Sequence, residues 1–318
     1  MRLYIDKDNI LAFIAAGKSD YYLFFQSICL IKKGMEVYYN FSKEEILKHE
    51  ALKVWFNEML ATGVKFDSVF CSDESQIKPP RPLKSNFYVS YDSDDRSSIY
   101  LLNMEENMRD TLLQKRSILI GCPGDEMSLF NSLLAMDDKG GMMCQLKSWK
   151  DYCPDIPLTD IIICDNHYFK DINVYNKNDN ELIRALAEIP KDSLNLVIFT
   201  KPSEVDRKIV LEEECKKIKE MVCRISGLSK SKCAVTIVTT YRLHSRHIIT
   251  NYYRIVPTSC IHLKDSGLKE DVDIDLKPHS HYDALEQTKS LIHTCQSAAL
   301  NPVNIYGDKK SNYINFNK

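Results

Sequence analysis

Three apolar runs in the second half of the chain restrict its architecture more than any other feature. Ile161-Ile162-Ile163-Cys164, Leu194–Thr200 and Ala234–Thr240 are almost continuously hydrophobic. A strand with one wet face alternates polar and apolar residues, so runs without alternation belong to strands covered on both faces. Between the second and third runs, Leu211, Cys215, Ile218, Val222 and Ile225 step by 4, 3, 4 and 3 residues, the period of one helix face. Ser203 reads as the cap of that helix and Gly227 as its stop. A further helix is expected near residues 180–189, a fourth strand over His247–Val256, and a final amphipathic helix over Asp283–Leu300.

Strands alternating with helices imply an α/β fold. The expectation is a mostly parallel sheet flanked by helices over residues 151–300, preceded by a smaller α/β domain at 1–150. Residues 301–318 read as a polar, frayed tail. In the first half, Met1–Asp6 and Glu36–Phe41 read as strands, and Ser19 or Asp20 caps a helix to about Ile31. Ser42-x-x-Glu45 is a capping box. Leu52, Trp55, Phe56, Met59 and Leu60 give the following helix an apolar face. From Ser72 to Ser98, around Pro79-Pro80-Arg81-Pro82, the pattern dissolves into a surface loop or an extended arm. A helix over Glu105–Lys115 and a strand over Ser117–Gly121 follow.

The 318 residues, 44% hydrophobic and 27% charged, have the composition of a soluble globular protein. A net charge of −2 excludes a protein built as a whole for polyanions but leaves room for a local basic face. No apolar run approaches the roughly 18–20 residues of a membrane span. No signal-peptide core follows Met1–Asp6, so a cytoplasmic protein without a membrane partner is expected. The 11 cysteines are scattered without Cys-x-x-Cys spacing, which fits buried thiols in a reducing compartment. No cofactor or metal is expected.

One window departs from this ordinary picture. Between Met221 and Lys264 there is no Asp or Glu, although an even spread of the 44 acids would place about six there. Seven cations do fall in it: Arg224, Lys230, Lys232, Arg242, Arg246, Arg254 and Lys264. Buried strands exclude carboxylates, which explains part of the deficit but not the cations. A histidine and an arginine two residues apart, His244 and Arg246, precede the apolar Ile248-Ile249. On a strand they would share one face and could reach one phosphate, or they could form a polar pair on an edge strand. Tyr241, Tyr252 and Tyr253 interleave with Arg242, Arg246 and Arg254, as ring and guanidinium contacts to single-stranded nucleic acid would require.

His244, Arg246 and Asn251, with Thr258-Ser259 beyond them, resemble one half of the phospholipase D-like superfamily. Its signature is His-x-Lys-x4-Asp followed by Gly-Ser. The resemblance covers about a third of the chain, from Leu158 to Lys264. It implies a histidine nucleophile that forms a phosphohistidine, here His244, with Arg246 and Asn251 completing the catalytic set. Arg242, Arg254 and Ser259 would bind phosphate. Asn251 lacks the negative charge of the family's aspartate. A single motif also needs a second copy, so the resemblance implies a homodimer whose two His244 side chains meet. The function expected from it is a nuclease-like or phosphodiesterase-like protein that binds or cleaves nucleic acid, of the kind seen in bacterial antiviral defence. The competing class is a non-catalytic adaptor or sensor subunit of a larger assembly, binding nucleic acid or a protein through the basic patch.

Other segments carry residues of the same chemistry. Gly121-Cys122-Pro123-Gly124-Asp125-Glu126 is placed like a phosphate-cradling turn, but two acids oppose that role. Asp165-Asn166-His167 ends an apolar run, where open α/β sheets place ligands, and Asp165 could orient His244, hold a metal or cap a helix. Asp6 and Asp8, and His279 and His281 with Asp275 and Asp283, are possible metal ligands or solvated loop residues.

Overall fold

The computed structural model describes residues 2–5, 7, 11, 36–39, 42–61, 65–68, 98–101, 119–121, 142–144, 149–150, 153, 158–170, 181–188, 193–257, 272–279 and 282–316. The chain divides into two compact units, residues 1–138 with 278–286, and residues 139–277 with 287–318.

The first unit holds a five-stranded sheet built from β1 (Arg2–Ile5), β2 (Glu36–Tyr39), β3 (Lys65–Ser68), β4 (Ser98–Leu101) and β5 (Leu119–Gly121). Its order is β3-β2-β1-β4-β5 and every neighbouring pair is parallel. β3, Lys65-Phe66-Asp67-Ser68, has a single apolar residue and so gives no strand signal, whereas β4, Ser98-Ile99-Tyr100-Leu101, is apolar but is not among the strands expected from the sequence. α1 (Lys43–Lys48) opens with the expected capping box: Ser42 Oγ accepts from the Glu45 amide and Glu45 Oε2 from the Ser42 amide. These contacts and a 2.9 Å ion pair to Lys7 hold the Glu45 carboxyl below its usual range. α2 (Glu50–Ala61) buries Leu52 and Trp55, whereas Leu60 faces solvent. The expected helices at 19–31 and 105–115 and the Pro79–Pro82 segment lie outside the described residues.

The second unit is built on eight strands: β6 (Met142–Cys144), β7 (Asp160–Cys164), β8 (Leu194–Thr200), β9 (Cys233–Thr239), β10 (His247–Thr250), β11 (Tyr253–Pro257), β12 (Val272–Pro278) and β13 (Asn304–Gly307). Their order is β13-β9-β8-β7-β10-β11-β12-β6. The three apolar runs form the centre, β7, β8 and β9, mutually parallel and buried throughout. The unit is therefore α/β, but its sheet is mixed: β10 runs antiparallel to β7 and β11, β12 to β6, and β13 to β9.

α3 (Leu211–Ser226) buries Leu211, Cys215, Ile218 and Val222, four of the five residues whose spacing defines its face. It ends at Gly227, whose φ of 70° suits a residue without Cβ. Its start differs from the expectation: Ser203 lies in a separate 3-10 turn (Pro202–Glu204), and the residue preceding the helix, Val210, offers no side-chain cap. α3 meets the sheet through Cys223 beside Cys233. α4 (Tyr282–Leu300) meets it through Cys295, whose Sγ lies 3.5 Å from that of Cys164. Strand registers place Cys164 level with Phe199 and Val238, and side chains alternate along β9, so Cys233 faces the other way. Helices thus cover both faces of the central strands. No described helix is long and apolar enough to cross a membrane.

Two further differences come from long-range hydrogen bonds. The expected strand over 247–256 is a hairpin. Thr250 Oγ1 accepts from the Tyr252 and Tyr253 amides and donates to the Tyr253 carbonyl, closing a tight turn at Asn251-Tyr252. Residues 301–316 are not a frayed tail. They add β13 to the sheet edge, bury Tyr313 and Ile314, and tie Asn315 to Gln296 in both directions. Asn312 donates to both oxygens of the buried Asp160 carboxylate, which also accepts from Asn195 and Thr159.

Candidate functional site

The topology sets the course of the basic segment. β9 and β10 are separated in the sheet by β8 and β7, and the connection between them is only residues 240–246. Since β9 is parallel to β7 and β10 antiparallel to it, the chain leaves β9 at its carboxyl end and enters β10 from the same end. It must cross about 14 Å, three strand spacings, over the carboxyl ends of β8 and β7. Open α/β sheets bind ligands at this end of their parallel strands.

The crossing is pinned at both ends and in the middle. The Thr240 amide donates to the Thr200 carbonyl at 2.9 Å, and Thr240 Oγ1 accepts from the Arg242 amide at 3.1 Å. Leu243 is buried. With these positions turned inward, Tyr241, Arg242, His244 and Ser245 face solvent. Tyr241 is 53% exposed. Arg242 Nη1 lies 3.5 Å from Ser297 Oγ near the carboxyl end of α4, where the helix dipole favours a cation. Among the described residues no carboxylate pairs with it.

Asp165 follows β7 beneath this crossing. Its side chain is fully buried; Oδ1 accepts from the His167 amide at 2.8 Å and lies 3.4 Å from Arg246 Nε, while Oδ2 has no hydrogen-bond partner. Asp165 therefore closes its own turn and holds Arg246; it does not orient His244. Glu204, which follows β8, takes His167 Nδ1 at 3.2 Å and Lys170 Nζ at 3.5 Å. Glu204 and Lys170 escaped the sequence reading because no local pattern links them to Asp165.

The candidate residues are not brought together. His244 and Arg246 lie in the loop before β10, not on a strand, and His244 forms no hydrogen bond among the described residues. Asn251 sits beyond the other end of β10, on the order of 15 Å from Arg246 along an extended chain. It is buried, with Oδ1 accepting from the Thr159 and Asp160 amides and Nδ2 donating to Thr159 Oγ1 and the Tyr313 hydroxyl. Both ends of its side-chain amide are committed, to the amino end of β7 and to Tyr313.

Arg254 is likewise interior. On β11 it donates from Nη2 to Gln287 Oε1 at 2.6 Å, its Nε is unpartnered, and burial lowers its basicity against the opposing charge of Asp275. Beside it, His247 is buried with Nδ1 unpartnered; burial, then Arg254, push its pKa down to about 4. Tyr252 and Tyr253 are fully buried, so of the interleaved tyrosines only Tyr241 reaches solvent.

Ser259, Asp6, Asp8, His281 and residues 122–126 lie outside the described residues. Among the described residues, no group of three or more His, Cys, Asp or Glu could hold a metal ion. The chain matches no family model, and no curated protein matches it. Among solved structures it is similar to Kluyveromyces polysporus Argonaute with a guide RNA, at 10% identity over 92% of this chain and 43% of that one. The TM-score of 0.17 is too low for that likeness to carry any conclusion about fold or activity.

Proposed function

We propose that the second unit binds the phosphodiester backbone of a nucleic acid through the loop between β9 and β10, as a binding module and not as a hydrolase. The observation that carries this reading is the crossing itself. It holds Arg242, His244 and Arg246 over the carboxyl ends of the parallel strands, with Arg242 free of any carboxylate among the described residues. Guanidinium groups suit phosphate because they present two parallel N–H donors to two oxygens.

Phosphohistidine chemistry would need His244 supported by a second group and an acid for the leaving oxygen. His244 has no such support among the described residues, and Asn251 is spent on the far end of β10. The separating experiment is a binding and cleavage assay on labelled DNA and RNA with His244→Ala and Arg246→Ala. A binding module loses affinity with Arg246→Ala, keeps it with His244→Ala, and yields no shortened strands. Shortened strands that vanish with His244→Ala would overturn this reading in favour of the phosphodiesterase.

A further inference from the structure

The structure separates the tyrosines of the basic window into two classes. Tyr252 and Tyr253 are core residues, whereas Tyr241 stands beside Arg242 on the solvent side of the crossing loop. Tyr241 is 53% exposed and adjoins an arginine that no carboxylate neutralises among the described residues. Nothing in the fold requires it: Thr240 and Leu243 do the anchoring on either side. The same end of the sheet exposes two more apolar side chains. Val303, whose amide donates to the Thr239 carbonyl, is 47% exposed, and Leu300, one helical turn beyond Ser297, is 39% exposed. The ring, the two apolar side chains and Arg242 therefore lie at the carboxyl end of β9, and Arg246 lies farther along the crossing, above the end of β7.

We propose that the nucleic acid bound here is single-stranded, with one base stacked on the Tyr241 ring and the adjoining phosphates held by Arg242 and Arg246. The assignment rests on the phosphate reading above and adds a ligand class to it. A duplex keeps its base faces stacked inside and offers this loop only phosphates, leaving Tyr241 without a partner. An unpaired strand offers a base face to the ring and its backbone to the arginines, and every base has such a face, so the contact tolerates any sequence. An acidic protein segment would satisfy the arginines but not the ring.

The test is fluorescence anisotropy with labelled oligothymidylate, a blunt duplex of equal length and labelled polyglutamate, each titrated with the full chain. Oligothymidylate is expected to bind more tightly than the duplex. Tyr241→Ala should weaken oligothymidylate about tenfold, the value of one stacked base. Tyr241→Trp should restore it, and the duplex should respond to neither. Arg242→Ala should weaken both nucleic acids. If Tyr241→Ala leaves oligothymidylate unchanged while Arg242→Ala weakens both probes, the single-strand assignment falls and the phosphate reading stands. If neither nucleic acid binds, or polyglutamate binds as tightly as either, both fall. Tyr241 is exposed, so its variants keep the fold, and circular dichroism confirms that before each titration.

Discussion

Arg246 Nε lies 3.4 Å from Oδ1 of Asp165, and that carboxylate is fully buried at the end of the central strand β7. One oxygen thus fixes an arginine of the crossing loop while the other, Oδ2, has no hydrogen-bond partner among the described residues. The Arg246 side chain is 30% exposed, so solvent partly screens the pair from one side.

Asp165→Asn keeps the acceptor for the His167 amide and removes the charge opposing Arg246. The expected change in stability is small, within about 1 kcal/mol by urea denaturation, because the ion pair is partly screened. Affinity for nucleic acid at low salt should rise, since the loop gains one net positive charge. Weaker binding by Asp165→Asn would mean that orienting Arg246 matters more than freeing it.

Asn251→Ala leaves the buried Thr159 and Asp160 amides without their acceptor. The loss should be about 2–6 kcal/mol, from an ordinary 1–3 kcal/mol for each of the two orphaned amides. It should appear as a lower urea midpoint in the second unit. A variant of unchanged stability with lost binding would return Asn251 to the site.

His247 gives the second unit a pH dependence of definite sign. Its folded pKa of about 4 lies below the ordinary 6.5, so the unfolded chain binds the proton more readily. The neutral side chain's contribution is fully present above pH 6.5 and is lost as pH falls through 6.5 toward 4. The whole span is worth about 3 kcal/mol. Urea midpoints between pH 7.5 and 4 should fall more steeply for the native protein than for His247→Gln. Equal slopes would show that His247 protonates without resistance.

The two described glycines with positive φ should respond differently to alanine. Gly227, at φ 70°, has open space around a built Cβ, so only backbone strain of about 1 kcal/mol is expected. At Gly307, φ 86°, a Cβ would run into the Val235 carbonyl oxygen and approach Cys215 Sγ to 2.8 Å. Overpacking adds to the strain, for a total of about 2–4 kcal/mol. Equal denaturation midpoints for the two variants would contradict the close approach of β13 to β9 and α3.

The sequence by itself determined the elements whose chemistry is local. β7, β8 and β9 follow from apolar runs without alternation, α3 from its 4-3-4-3 spacing and Gly227 stop, and α1 from the Ser42 and Glu45 exchange. Each depends on residues within one turn or one strand. The tertiary structure alone decided where the basic window went. The extended strand β10 lies between His244 and Arg246 at one end and Asn251 at the other, and the fold buried Tyr252, Tyr253 and Arg254 while leaving Tyr241 and Arg242 outside. The partners responsible are distant in sequence: Asn251 answers backbone amides 91 and 92 positions away, and Asn312 a carboxylate 152 away. A buried N–H or carboxylate must be satisfied by whatever the fold brings to it, and no local pattern reveals which residue that will be.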